Sequence, residues 1–91
     1  MTFANETTRT IFGGNAVAGL SAEIQVRALE RLQLLDAAAD LGDLAAAKQA
    51  GLHVHEERRG GVHCICVDER GRICFRWRDG HAYDVELFGY H

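Results

Sequence analysis

Arg72-Ile73-Cys74-Phe75-Arg76-Trp77-Arg78, then Asp79-Gly80, then Tyr83-Asp84-Val85-Glu86-Leu87-Phe88 reads as two strands, Ile73–Arg78 and Tyr83–Phe88, joined by a tight turn. Ile73, Phe75 and Trp77 alternate with Arg72, Cys74, Arg76 and Arg78, and a period of two sends the two sets to opposite sides of a sheet. Asp-Gly is a strong hairpin signal, because both central positions tolerate positive φ. Working outward, Val62–Glu69 and Leu52–Glu57 repeat the pattern, separated by Arg70-Gly71 and by Arg59-Gly60-Gly61. Before Gly51 the period changes. Ile24, Ala28, Leu32, Leu35 and Ala39 form one apolar stripe on a helix of roughly 18 residues that starts after the N-cap Ser21. Arg27, Glu30 and Arg31 fall off that stripe and are expected in solvent. Asn5 caps a shorter helix over 6–12, stopped by Gly13-Gly14, and Asp43 is expected to cap a turn over Leu44–Ala47. The expected architecture is α+β: two or three N-terminal helices on one face of a mainly antiparallel sheet. Four strands are expected, with Thr2–Ala4 as a candidate fifth.

The chain has 91 residues, 47% of them hydrophobic and 25% charged, which is the composition of one small globular domain over 1–91 rather than of a disordered or fibrous chain. Its apolar runs are a few residues long, far short of the roughly 20 that cross a bilayer. The opening residues lack signal-peptide features, so the expected compartment is the cytoplasm, with no membrane partner. Three cysteines, Cys64, Cys66 and Cys74, are odd in number and closely spaced, and are expected as half-buried free thiols or metal ligands.

The net charge of −3 argues against a generic nucleic-acid binder, but it is unevenly distributed. Residues 1–47 carry three arginines against six acids; residues 48–91 carry seven basic residues against seven acids, and all five histidines. Polyanion chemistry therefore belongs to the second half. Arg76 and Arg78 have an ordinary explanation in cross-strand ion pairs with Asp84 and Glu86. Arg72, at the start of its strand beside a turn, is the better anion ligand.

Arg72-Ile73-Cys74-Phe75-Arg76-Trp77, Asp79-Gly80, Ala82-Tyr83-Asp84-Val85-Glu86 and the terminal Tyr90-His91 resemble the HigB branch of the RelE/ParE toxins, the plasmid maintenance system killer family. Thr10-Ile11-Phe12-x-Gly14 resembles its first helix, Arg31-Leu32-x-x-Leu35-Asp36-Ala37-Ala38 its long helix, and Leu52-His53 its first hairpin strand. The resemblance implies a RelE-like fold. It also implies the toxin of a type II toxin–antitoxin module, an endoribonuclease (mRNA interferase) that enters the ribosomal A site, cuts mRNA there and arrests translation and growth. The reaction is metal-independent and needs no cofactor, because the RNA 2′-hydroxyl attacks the adjacent phosphate. The partners implied are a helix-turn-helix, HigA-like antitoxin and, through it alone, operator DNA.

Carried over by position, Arg72 would steady the negative phosphorane, Tyr90 and His91 would orient the nucleotide or move a proton, and His53 is a second proton-transfer candidate. Arg58, Arg59, Arg70 and Arg76 are candidate RNA contacts. Tyr90 covering the sheet edge and His53 as a polar-face residue are the structural alternatives.

The chain departs from the family pattern at Glu56, where a lysine is usual, at Gly71, where an aromatic often stands, and at Gly89, where an aspartate precedes Tyr-His. The alternative function is accordingly a weakened or inactive toxin-fold protein that binds an antitoxin in regulation. The ParE-type gyrase poisons share the fold, but the Tyr-His ending favours RNA cleavage. Chemistry alone suggests one other site. With a turn centred on Arg59–Gly60, His55 faces Cys64 and His53 faces Cys66, a two-histidine, two-cysteine patch of the kind that holds zinc, although flat strands rarely converge on one ion.

Overall fold

A computed structural model describes residues 1–40, 42–43 and 62–89, together with the backbone of 54–56. Two helices come first, α1 (Glu6–Phe12) and α2 (Ala22–Ala37), followed by β1 (Val54–Glu56), β2 (Val62–Cys66), β3 (Arg72–Arg78) and β4 (His81–Phe88). The strands form one antiparallel sheet in the order β1-β2-β3-β4. The fold class is α+β, with both helices packed on the Ile73 side of the sheet. Among the described residues no helix is long and apolar enough to cross a membrane.

Both helices begin where short polar side chains satisfy otherwise orphaned N–H groups. Asn5 accepts from the Thr8 amide at 2.9 Å, and Ser21 accepts from the Ile24 amide at 3.2 Å. Ala28, Leu32 and Leu35 of the α2 stripe are buried, and they meet Ile65, Ile73, Phe75 and Val85 from the sheet. Each such large side chain contributes about 1.5–3 kcal/mol on burial.

The helix ends at Ala37, so Ala39 lies outside it and is exposed. The physical reason is a reciprocal cap. Asp43 accepts from the amides of Ala39 and Asp40 at 2.7 and 3.3 Å, while Asp40 accepts from the Asp43 amide at 2.9 Å. Asp40, not Asp43, is thus the capping residue of the helical turn that holds Gly42 and Asp43. The turn expected over Leu44–Ala47 lies outside the described residues. Arg31 also departs from expectation: it is half-buried, and its Nε donates to the Cys66 carbonyl at 3.4 Å, tying α2 to the end of β2.

In the sheet, Asp79 and Gly80 both take positive φ (52° and 78°) in the β3–β4 turn, as the Asp-Gly pair requires. β2 stops at Cys66, short of the expected Glu69, because Asp68 folds the chain back. Thr2–Ala4 joins as an isolated parallel bridge, Phe3 to Val85, rather than as a full strand. A bulge in β4 makes this possible. The register slips one residue between the Cys74–Glu86 and Arg76–Tyr83 pairs, and Asp84 takes φ 52°. The Asp84 and Val85 amides then turn from β3 to Thr2, each at 2.9 Å.

Candidate functional site

Arg72 opens β3 directly after the turn from β2. The Asp68 carboxylate shapes that turn, accepting from the amides of Arg70 at 2.8 Å and Gly71 at 2.9 Å, while the Val67 amide donates to the Gly71 carbonyl at 2.9 Å. Two charge-assisted bonds fix the Glu69–Arg70 and Arg70–Gly71 peptides, and the Val67 amide holds the Gly71–Arg72 peptide through its carbonyl. Arg72 is exposed, and it stands between Cys66 on β2 and Phe88 on β4.

The last described residue shows why position 89 is a glycine. Gly89 takes φ 99°, and a Cβ there would collide with the Arg70 carbonyl oxygen and stand 2.8 Å from the Gly71 Cα. Glycine is required because the end of β4 packs directly on the Arg70–Gly71 peptide. The residue preceding Tyr90-His91 is therefore held against the residue preceding Arg72. Tyr90 and His91 themselves, and His53, Arg58 and Arg59, lie outside the described residues.

The other candidates separate. Arg70 is exposed and lines a cleft of about 240 Å³ with Ser21, Ile24, Arg27 and two acids, Glu23 and Asp68. Arg76 pairs with Asp84, Nε to Oδ2 at 3.8 Å, with both side chains more than half exposed. This is the cross-strand ion pair that alternation suggested, and at such exposure it is worth less than about 1 kcal/mol. Position 56 is paired with His63, which lies across from Phe75 on the core side of the sheet, whereas His55 is paired with Cys64, on the side of Arg72. The Glu56 position thus belongs to the opposite side of the sheet from Arg72.

The thiol expectation is corrected. Cys64 and Cys74 are direct partners in the β2–β3 register, 4.1 Å apart at Cα, and form a disulfide; only Cys66, half-buried, is a free thiol. An odd cysteine count conceals a pair that the register sets face to face. The zinc patch of His53, His55, Cys64 and Cys66 is corrected with it. The pairing of His55 with Cys64 is as expected, but the Cys64 sulfur is bonded to Cys74. Among the described residues no group of three or more His, Cys, Asp or Glu side chains is arranged to hold a metal ion.

Sequence reasoning missed Asp68 and Thr8. Asp68 carries a local signal, an aspartate shortly before Arg70-Gly71, which is turn chemistry. Thr8 carries none: it is fully buried, donates from Oγ1 to Asn5 at 2.7 Å and accepts from the Leu87 amide at 3.0 Å, fastening α1 to β4. Compared with known protein families and with curated proteins, the chain matches none.

Proposed function

We propose that this chain is a HigB-type toxin with a RelE-like fold, a ribosome-dependent endoribonuclease that cuts mRNA in the A site. The observation that carries the reading is the meeting of two segments at one end of the sheet. Arg72 follows the carboxylate-fixed turn, Arg70 stands at that turn, and Gly89, which leads into Tyr90-His91, packs on it. RNA self-cleavage needs a cation to steady the phosphorane and groups that move protons. The 2′-hydroxyl attacks the adjacent phosphorus and gives its proton to a base. The phosphorus–O5′ bond breaks, and the leaving oxygen takes a proton from an acid. A 2′,3′-cyclic phosphate and a 5′-hydroxyl result. Arg72 stabilises the charge that grows on the phosphorane, and His91, Tyr90 and His53 supply or orient the protons. Such a positioned acid or base contributes roughly 10²–10⁴ in rate.

A second reading has one observation in its favour. A toxin-fold protein that binds a HigA-like antitoxin without cutting RNA fits the loss of the carboxylate at position 89, because the backbone there excludes a side chain. Primer extension on a reporter mRNA, with and without ribosomes, separates the two. Ribosome-dependent cuts establish the nuclease; their absence from folded protein leaves antitoxin binding as the function.

A further inference from the structure

Three cysteines share the side of the sheet that carries Arg72. Cys64 is paired with Cys74 and Cys66 with Arg72, two residues along each strand. The disulfide closes a ring that contains the whole Asp68–Arg72 turn, with a sequence separation of 10. Cys64 and Cys74 are 1% and 8% exposed, so the bond is embedded in the sheet, whereas Cys66 is half-exposed and remains a thiol. No other covalent link among the described residues constrains the segment that presents Arg72.

We propose that the Cys64–Cys74 pair is a redox switch on the Arg72 hairpin, holding it ordered when oxidised and loosening it when reduced. Reduction by a dithiol is a two-electron exchange. The two thiols of the reductant give up two protons and two electrons to become a disulfide, and Cys64 and Cys74 take them up as thiols. A glutathione-class disulfide reverses the step, leaving two equivalents of its thiol. The reduced hairpin keeps its backbone ladders to β1 and β4 and its buried Ile65 and Ile73, so it stays folded but opens more often. Ring closure of this length shifts the unfolding equilibrium by about a hundredfold. An arginine on a looser turn is a poorer preorganised donor, so the oxidised protein is the more active one.

The switch stands apart from the nuclease reading; only its effect on cleavage rests on that reading. The test begins with iodoacetamide labelling of the full chain, equilibrated in glutathione buffers of graded potential and read by mass. One label is expected at the oxidising end and three at the reducing end. Three labels throughout the range would overturn the proposal. Hydrogen exchange across 62–78 is then compared between the two forms and with Cys74→Ser, whose fold is checked by circular dichroism. Exchange at least tenfold faster in the reduced protein and in Cys74→Ser is expected, and equal exchange would overturn the proposal. If neither form cuts RNA, the nuclease reading fails while labelling and exchange still decide the switch. If the oxidised form cuts, a several-fold lower rate is expected on reduction, and an unchanged rate would remove the coupling.

Discussion

Gly89 and Thr8 show how much a single position can control here. At Gly89 any side chain meets the Arg70 carbonyl in a backbone conformation that L-residues avoid, so Gly89→Ala should cost about 2 kcal/mol or more in urea unfolding. A cost below half a kcal/mol would mean the β4 end does not pack on the turn. At Thr8, valine keeps the shape and deletes the hydroxyl, leaving the Leu87 amide unpaired in a buried site; about 1–3 kcal/mol is expected by the same measurement. Glu56→Lys tests the register. Because position 56 is paired with His63 on the core side, the lysine should change ribosome-dependent cleavage by less than about threefold. A gain of a hundredfold or more would place that position at the phosphate after all. None of these consequences could be read from residue type. Thr8 meets Leu87 across a sequence separation of 79, and the Gly89 requirement comes from a turn that precedes it by most of two strands.

At the scale of elements, local chemistry was legible and long-range closure was not. Asn5 and Ser21 begin helices because capping acts within three residues, and Asp79-Gly80 makes its turn because two adjacent residues suffice. The Ile73, Phe75, Trp77 alternation assigned the core face correctly, because burial on one side of a sheet follows the pleat. The disulfide escaped notice because it depends on the β2–β3 register, which Asp68 sets by folding five residues into the turn. Gln25 was equally silent. Its side chain accepts from the Val17 amide at 2.8 Å and donates to the Leu20 carbonyl at 2.9 Å, organising the whole α1–α2 connection. Asp68→Ala should therefore weaken the β2–β3 hairpin in particular. Losing two bonds to backbone amides predicts a cost of about 1–3 kcal/mol in thermal or urea unfolding, together with faster hydrogen exchange at Arg70 and Gly71. Normal exchange at those two amides would show that the turn holds without the carboxylate.

For the molecule as a whole, the uneven charge of the sequence leaves the helices predominantly acidic and the sheet balanced. Glu6, Glu23, Glu30, Asp36, Asp40 and Asp43 are all exposed on or beside the helices, while Arg70, Arg72, Arg76 and Arg78 are exposed on β3 and its preceding turn. The exposed acids Glu69, Asp79 and Asp84 lie among those arginines, so the sheet half is balanced rather than basic, and any attraction for the proposed RNA substrate is local to Arg70 and Arg72. The part of the proposed site that the sequence made legible is the part that lies on a regular strand, Arg72 with its exposed neighbours. Whether those arginines act alike is the sharpest question the fold poses, because Arg76 lies in the middle of β3, whereas Arg72 opens the strand at the turn on which Gly89 packs. The deciding measurement is ribosome-dependent cleavage of one reporter mRNA, by primer extension, for the native protein, Arg72→Ala and Arg76→Ala. Loss of one preorganised donor predicts a rate about 10²–10³ lower for Arg72→Ala. Arg76→Ala should stay within a few-fold of the native rate. Equal rates for Arg72→Ala and the native protein, or equal losses in the two variants, would contradict a site built on Arg72.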